Sequence, residues 1–420
     1  MPQDRPAADL DEGLGEPLPA RAHARPLSAA QDHYRDHSRH KVFDARLEDL
    51  VPITFVSSHA LHGGAELHLA SVIERLGPGW VNGLIALADG PLVGRLQGLG
   101  YEVTVIPTSR RLGMLLAAWR LRRRLLARRP TLVHADGIKA ALVTVIATAA
   151  TDIPVVWFKV DYSRDGRLAR AIASRCRQVI GISASVTETF ARSLRDRVRV
   201  VPCGIPDYTV DRAAGRQMVR ELVGDHGDQA PVVAHLGRLH QRKGQLELVE
   251  VAPAVLRRHP NVRFLLFPPP PEGDREREYE ARLRKRIDEL GISDAVRLLP
   301  GTGRAVDVMA GCDLVVVSSI PDEVSGWREG FGLVGVEAMA AGTPVAGYAD
   351  GALPEVLGDC AALVPTGDRR ALGEAIIELL DDPTLRESLV HRGRRRAERY
   401  RLRSTVESLK GCYREAVGAG

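Results

Sequence analysis

The residues best placed by type and spacing to do chemistry lie between 329 and 347. They read Glu-Gly-Phe-Gly-Leu-Val-Gly-Val-Glu-Ala-Met-Ala-Ala-Gly-Thr-Pro-Val-Ala-Gly, with Glu329 and Glu337 eight residues apart. Gly330, Phe331 and Gly332 form a loop in which missing side chains let backbone N–H groups approach a ligand closely. A helix is predicted from Leu333 to Ala341, stopped by Gly342 and Pro344. The loop therefore meets its ligand at a helix N-terminus, where amide donors and the macrodipole favour anionic or oxygen-rich groups. Two carboxylates so near one another invite comparison with a glycosidase pair. Eight helical residues at about 1.5 Å each separate Cα atoms by about 12 Å. A retaining pair needs about 5 to 5.5 Å and an inverting pair about 6.5 to 9.5 Å. Glu329 precedes the helix, which shortens the gap, but two hydrogen-bonding tasks along one elongated ligand fit better than opposed catalytic groups.

A second cluster is His235-Leu-Gly-Arg-Leu-His-Gln-Arg-Lys-Gly244, which follows the apolar run Pro231 to Ala234. The pattern is strand, glycine turn at Gly237, then a helix predicted from about Gln245 and carrying Leu246, Leu248, Val249 and Val251. Arg238 and Lys243 stand in the turn, where a pyrophosphate would need cations; arginine grips phosphate oxygens bidentately and lysine supplies a point charge. Only six lysines accompany 52 arginines in the chain, so a lysine in this turn is notable. Each cluster alone also reads as solvated loop and helix residues; their combination is what points to a site.

Gly-Arg-x4-Lys-Gly followed by Glu-Gly-Phe-Gly-x4-Glu-Ala-Met-Ala-x-Gly-x-Pro-Val resembles the donor half of the retaining glycosyltransferases of the GT-B fold, in the large family four, also called glycosyl transferases group 1. The resemblance runs from about residue 50 to 417. It implies an α/β protein of two Rossmann-like domains facing a cleft, and a nucleoside-diphosphate sugar, UDP or GDP, as donor. No further cofactor and no metal are implied. Matched position by position, Arg238 and Lys243 would hold the donor diphosphate beside Gly237, and Glu329 the donor-sugar hydroxyls. The amides of Gly330, Phe331, Gly332 and Leu333 would approach sugar and phosphate, and Glu337 would bind the ribose. Retention needs no strong protein base if a leaving-phosphate oxygen takes the acceptor proton. Arg238, Lys243, Glu329 and Asp136 are accordingly the expected catalytic set.

The first half carries a weaker echo. Ile53 to Glu66 is again an apolar run, a turn with Gly63 and Gly64, and a predicted helix, about 180 residues before Val232. Two such starts suggest two Rossmann-like domains. Gly63-Gly64-Ala-Glu resembles the family's N-terminal loop near donor phosphate and acceptor, with His59 and His62 beside it as acceptor-side candidates or ordinary loop histidines. Thr131 to Gly137 places His134 and Asp136 at a strand end, and strand ends of open parallel sheets face the ligand crevice. The family commonly has His-x-His there, so Asp136 is a departure that puts a catalytic histidine in doubt and offers a carboxyl to an acceptor hydroxyl or amine. Lys159, Asp161 and Tyr162 end the next strand, where relatives often carry a histidine; acceptor contact and structural roles are equally open to them. Cys203 replaces the asparagine of the family's Pro-Asn-Gly turn, and Pro268 to Pro271 stand where many relatives have a glycine-rich loop.

With 420 residues, 45% hydrophobic and 26% charged, the chain can bury two cores. The expected organisation is a disordered tail over 1–48, an acceptor-side domain over 49–205, a donor-binding domain over 206–385, and a helical region over 386–420 crossing back to the first domain. The tail lacks the apolar segment of a secretory signal. Five cysteines without CxxC spacing suit a reduced cytoplasmic protein and argue against a zinc cluster, and the arginine excess suggests a bacterial source. A net charge of +5 with 5% aromatics gives no footprint for nucleic acid. Ser109 to Arg129 is a predicted helix with Leu112, Leu116, Trp119 and Leu126 on one side and eight arginines elsewhere. Such a helix lies on anionic lipid or is a domain helix with a solvated arginine face, which leaves weak peripheral contact at the inner membrane face as one expectation. The reading is a retaining glycosyltransferase whose acceptor is a small natural product, a glycan or a lipid-linked molecule. A noncatalytic sugar-nucleotide-binding protein and a sugar-nucleotide epimerase of the same fold are the alternatives, and the oligomeric state is left open.

Overall fold

The computed structural model describes residues 51–418 apart from 62, 109–110, 163–165, 192–193 and 224–229. The expected tail over 1–48 lies outside the described residues. In the first half the elements run β1 (Ile53–Ser57), α1 (Gly64–Leu76), β2 (Val81–Ala86), α2 (Pro91–Gly98), β3 (Val103–Val105), α3 (Arg111–Arg128), β4 (Leu132–Asp136), α4 (Gly137–Ala147), β5 (Val155–Lys159), α5 (Arg167–Arg175), β6 (Gln178–Gly181), α6 (Ala184–Ala191) and β7 (Val198–Val200). The second half runs α7 (Arg212–Val223), β8 (Val232–Leu236), α8 (Gln245–Arg258), β9 (Arg263–Phe267), α9 (Asp274–Glu289), β10 (Val296–Leu298), α10 (Ala305–Gly311), β11 (Leu314–Val317), α11 (Leu333–Ala341), β12 (Val345–Tyr348), α12 (Leu353–Leu357), β13 (Ala362–Val364) and α13 (Arg369–Asp381). Two more helices follow, α14 (Pro383–Ala397) and α15 (Leu402–Gly418).

The strands are short apolar runs closed by turn residues, and β1, β4, β5 and β8 are buried at every position, as parallel strands covered on both faces must be. They form two all-parallel sheets of order β3-β2-β1-β4-β5-β6-β7 and β10-β9-β8-β11-β12-β13. Each sheet reverses its winding at a central pair, β1 with β4 and β8 with β11, so each opens a crevice at the carboxyl ends of that pair. The fold is the expected pair of Rossmann-like α/β domains.

One apolar core runs from α1 and α2 beneath the first sheet through Phe331 and Tyr400 into the second half, while α3, α4 and α5 close a separate core on the other face of the first sheet. Of the segment from 386 onward, only α15 returns to the first sheet, against α1 and β4. The α14 helix stays with the second, where Gly393 lets it approach Met339 of α11 so closely that an added Cβ would lie 3.0 Å from Met339 Cγ. The return therefore begins at Arg401 and not at 386. There the chain pairs with its own outward crossing: Ile205 N donates to Tyr400 O at 2.7 Å and Leu402 N to Ile205 O at 2.8 Å.

The two halves also meet beside the crevices. A Cβ on Gly330 would stand 2.4 Å from the Val160 carbonyl oxygen, so the loop after β5 and the glycine loop touch only because Gly330 has no side chain. Ser183 Oγ donates to Gly330 O at 3.1 Å. The Glu355 carboxylate accepts from Ala184 N, Ser185 N and Ser185 Oγ at 2.8, 3.0 and 2.7 Å, capping the α6 N-terminus from across the seam. Removing this acceptor in Glu355→Ala is expected to loosen the seam: small-angle scattering should show a larger radius of gyration while far-ultraviolet circular dichroism stays unchanged.

Candidate functional site

The turn after β8 is built by backbone constraints. Gly244 holds a left-handed conformation (φ 71°), and a Cβ there would fall 1.7 Å from the Ser318 carbonyl oxygen at the end of β11. His235 Nε2 bonds Lys243 O at 2.9 Å, and burial holds this imidazole down at a pKa of about 4, so the ring is neutral. Gln245 Nε2 donates to the carbonyls of Gly237 and Arg238 at 3.3 and 2.7 Å. With its backbone tied at both ends, the turn presents Arg238 and Lys243 to the crevice. Arg238 extends toward the first half, where a Cβ on Gly63 would lie 3.7 Å from its Cζ; a Cβ on Gly64 would lie 3.4 Å from Leu333 Cδ1. The structure thus brings Gly63, Gly64, Arg238 and Leu333 to one place.

Lys243 and Glu329 are bonded to each other, a pairing the sequence pattern does not announce. Lys243 Nζ stands 2.6 Å from Glu329 Oε2, which also accepts from Ser319 Oγ at 2.8 Å. Glu329 N donates to Asp350 Oδ2 at 2.9 Å. Burial alone would raise the Glu329 carboxyl, but the Lys243 charge and the Lys243 and Ser319 hydrogen bonds outweigh it and hold the group below its ordinary value. Gly332, left-handed at φ 81°, turns the chain into α11, and a Cβ there would collide with Leu353 Cδ2 at 2.3 Å. The amides from Gly330 to Leu333 follow Glu329 in this turn. One helical segment on, Glu337 is half-buried; burial pushes its carboxyl up to about 7 against an opposing hydrogen bond from Tyr208 Oη at 3.3 Å.

Tyr208, Ser319, Asp350 and Gln245 belong to this site and were not singled out in the sequence. So does a turn over Pro321–Arg328. Its Asp322 and Trp327 pair backbone to backbone, Arg242 Nε donates to Asp322 Oδ2 at 2.9 Å, and the Trp327 ring lies 5.6 Å from the Arg242 guanidinium and 5.3 Å from Lys243 Nζ. The indole face therefore covers the cationic turn. Aromatic and charged residues within a run of turn formers were the available signal, but nothing local says which loop they fold against.

On the first sheet the acceptor-side candidates separate. Asp136 ends β4 beside the switch point, and burial, then the charges of Glu66 and Asp161, raise its carboxyl well above the ordinary value. Its carboxyl is thus easier to protonate than an ordinary aspartate's, beside the crevice where an acceptor hydroxyl would lie. His59 is exposed after β1; the surrounding protein, then the charges of Lys139 and Arg238, lower its pKa while the Asp161 charge raises it. Asp161 follows the carboxyl end of β5 and so is on the crevice side. Lys159 is not: it is 2% exposed, its ammonium bonds the Asp161 carbonyl and lies 5.8 Å over the Phe190 ring. His134 also leaves the candidate set. It is 1% exposed, packed between Phe55 and Phe158, with Nδ1 at 2.8 Å from Tyr413 Oη, and burial drives its pKa to about 3. Two residues before the strand end, it points into the layer covered by α15. His62 lies outside the described residues. Cys203 is buried next to Gly204, whose amide donates to His68 Nε2 at 3.0 Å. Among the described residues no group of three or more His, Cys, Asp or Glu side chains could hold a metal ion, and no helix is long and apolar enough to cross a membrane.

Residues 223–396 match the family model of glycosyl transferases group 1, and residues 62–207 match that of glycosyltransferase family 4. The chain belongs to the group 1 glycosyltransferases. D-inositol 3-phosphate glycosyltransferase of Saccharomonospora viridis is 34% identical over 231 residues, 53% of this chain and 51% of that protein. The chain thus spans about half the length of the curated relatives it matches. Among solved structures, Anabaena HepE in complex with UDP and glucose has a TM-score of 0.74 at 24% identity, covering 86% of this chain and 98% of that one. Sucrose-phosphate synthase of Thermosynechococcus elongatus has a TM-score of 0.73 at 19% identity, covering 88% and 100%. These likenesses show the GT-B fold.

Two measurements test the site as drawn. Lys243→Met strands a buried carboxylate, so it should destabilise the protein by about 1 to 3 kcal/mol, and Glu329→Gln in the same chain should restore most of that. A double-mutant cycle by chemical denaturation with no coupling would show that the pair is not formed in solution. For Asp136, the native carboxyl binds its proton more tightly than the unfolded one, so its cost to stability is full above the raised native pKa and shrinks as pH falls toward the unfolded value. Asp136→Asn should therefore raise the melting temperature more at about pH 8 than at about pH 5; an equal change at both would contradict the upward shift.

Proposed function

We propose that the chain transfers a sugar from a nucleoside-diphosphate sugar to an acceptor hydroxyl, with retention at the anomeric carbon. The observation that carries this reading is the Lys243–Glu329 pair at a helix-start glycine loop, on the same wall as Arg238 and Leu333, which face Gly63 and Gly64. A diphosphate laid along this wall meets Arg238 and Lys243, while the attached sugar offers hydroxyl donors to Glu329 and the ribose hydroxyls reach Glu337. Donor binding is then an exchange: Lys243 turns from carboxylate to phosphate as sugar hydroxyls take up the Glu329 oxygens. As the glycosidic bond breaks, negative charge grows on the diphosphate, where Arg238, Lys243 and the amides after Glu329 stabilise it in a site shielded from water. Asp136, from the opposite sheet, orients the acceptor. A uridine nucleotide is the preferred donor base, because Anabaena HepE was solved with UDP, with UDP and glucose, and with UDP-glucose. The relatives named D-inositol 3-phosphate glycosyltransferase support a transferase acting on a hydroxylated acceptor.

The test is a calorimetric titration of UDP, GDP and their sugars, followed by product analysis with the donor that binds. Arg238→Ala removes a charge-assisted contact worth about 1.5 to 3 kcal/mol, so the dissociation constant for the nucleoside diphosphate should rise by about tenfold or more. Unchanged affinity, or product of inverted anomeric configuration by nuclear magnetic resonance, would overturn the corresponding half of this reading.

A further inference from the structure

Helix α3 buries one face and leaves a second apolar face in solvent. Ala117, Ala118, Leu121 and Leu125 pack inward, each 2% exposed or less. Leu115, Leu116, Trp119 and Leu126 are 58%, 47%, 53% and 48% exposed. At 3.6 residues per turn these four project within about 100° of one another, so they form a stripe along the outer side of the helix. Single exposed leucines are ordinary, but a contiguous stripe marks an interaction face. Leu116, Trp119 and Leu126, the side that the sequence pattern marks as apolar, are thus the side the core does not use.

Charge says what covers the stripe. Arg123 stands within it, its guanidinium 5.0 Å over the Trp119 ring, and Arg120 is exposed at its border. The helix sequence from 111 to 128 contains no acidic residue. Among the described residues Glu102 is the acid paired with it, on the inner flank with Arg124 and Arg128, while Arg122 is tied to the Ala147 and Ala149 carbonyls. Among the described residues the outward side is therefore leucine, tryptophan and arginines without an acidic partner. A second copy of the same face would bring arginines against arginines, which opposes self-association. The helix is also too polar overall to cross a bilayer. We infer that α3 lies flat on an anionic lipid surface, with Leu115, Leu116, Trp119 and Leu126 at the acyl boundary and Arg120 and Arg123 among the headgroup phosphates. Because α3 follows the carboxyl end of β3, its first turns stand on the side of the first sheet where the crevice opens.

Flotation of the full chain with vesicles of phosphatidylcholine, with and without phosphatidylglycerol, tests this directly. The chain should float with the phosphatidylglycerol vesicles, be released by high salt, and show a blue-shifted tryptophan emission that is lost in Trp119→Gln. The double variant Arg120→Gln/Arg123→Gln should bind about tenfold less or weaker still. Leu116→Gln/Trp119→Gln should also fail to float while keeping the wild-type melting temperature, since neither side chain serves the core. Absence of flotation, equal flotation with phosphatidylcholine alone, or light scattering that finds a dimer dispersed by Leu116→Gln/Trp119→Gln would overturn the inference.

Discussion

A single charge pair, a buried carboxylate and a part-exposed ammonium, organises the second-sheet wall of the crevice. Lys243 and Glu329 come from loops 86 residues apart, and each is held by a scaffold that leaves it little choice. Gly244 fixes the lysine's turn against Ser318, and Asp350 fixes the glutamate's backbone from the loop after β12. The Glu329 carboxylate, with its side chain 11% exposed, is the member that depends on its partner, because burial without a countercharge disfavours the charged form. The pair is therefore a store of attraction that any ligand must match. A diphosphate sugar matches it by bringing both an anion for the lysine and hydroxyl donors for the glutamate. A bare phosphate supplies only the first, so the pair favours ligands that carry both parts.

Much of this wall was legible in the sequence because local rules wrote it. Gly332 before Leu333 and Gly342 after Ala341 bound α11 at the residues where a glycine start and stop predict, and α8 begins at Gln245 after a left-handed glycine. What was not legible is the set of contacts between distant segments. Ser319 looks like the tail of an apolar strand, Tyr208 stands alone in a linker, and the Trp327 turn resembles any polar loop. Their roles arise from which strand ends the two sheets bring together. No period within a window of sequence records that.

On the first sheet, position along a strand does not fix exposure. His134 and Asp136 share one face of β4, and both were read as crevice residues. Two residues along a strand is about 6.6 Å, enough to move a side chain from the rim into the packing under α15. His134 is sealed there against Tyr413, and its neutral ring suits that apolar layer. Lys159 is a similar case: it ends a strand but turns to Phe190, away from the opening. In α3 the periodicity was visible, yet it could not say which of two apolar faces the domain would keep. The narrower face, built from alanines and two leucines, fits closely against α4 and left the bulkier one outside.

The paired crossings at Ile205 and Arg401 make the second half of the chain a guest within the first. It leaves at one residue and returns at another bonded to it, so the intervening stretch forms a closed loop whose ends already touch. Whatever rotation the two halves undergo must pass through this junction, where a single bridge with two backbone hydrogen bonds ties the outgoing chain to the returning one. A guest whose ends meet is simple to connect, but any replacement must also restore the apolar core that passes into it at Phe331 and the Glu355 cap on α6. The α15 helix that seals His134 would still dock, since its anchor at Leu402 lies on the host side of that junction.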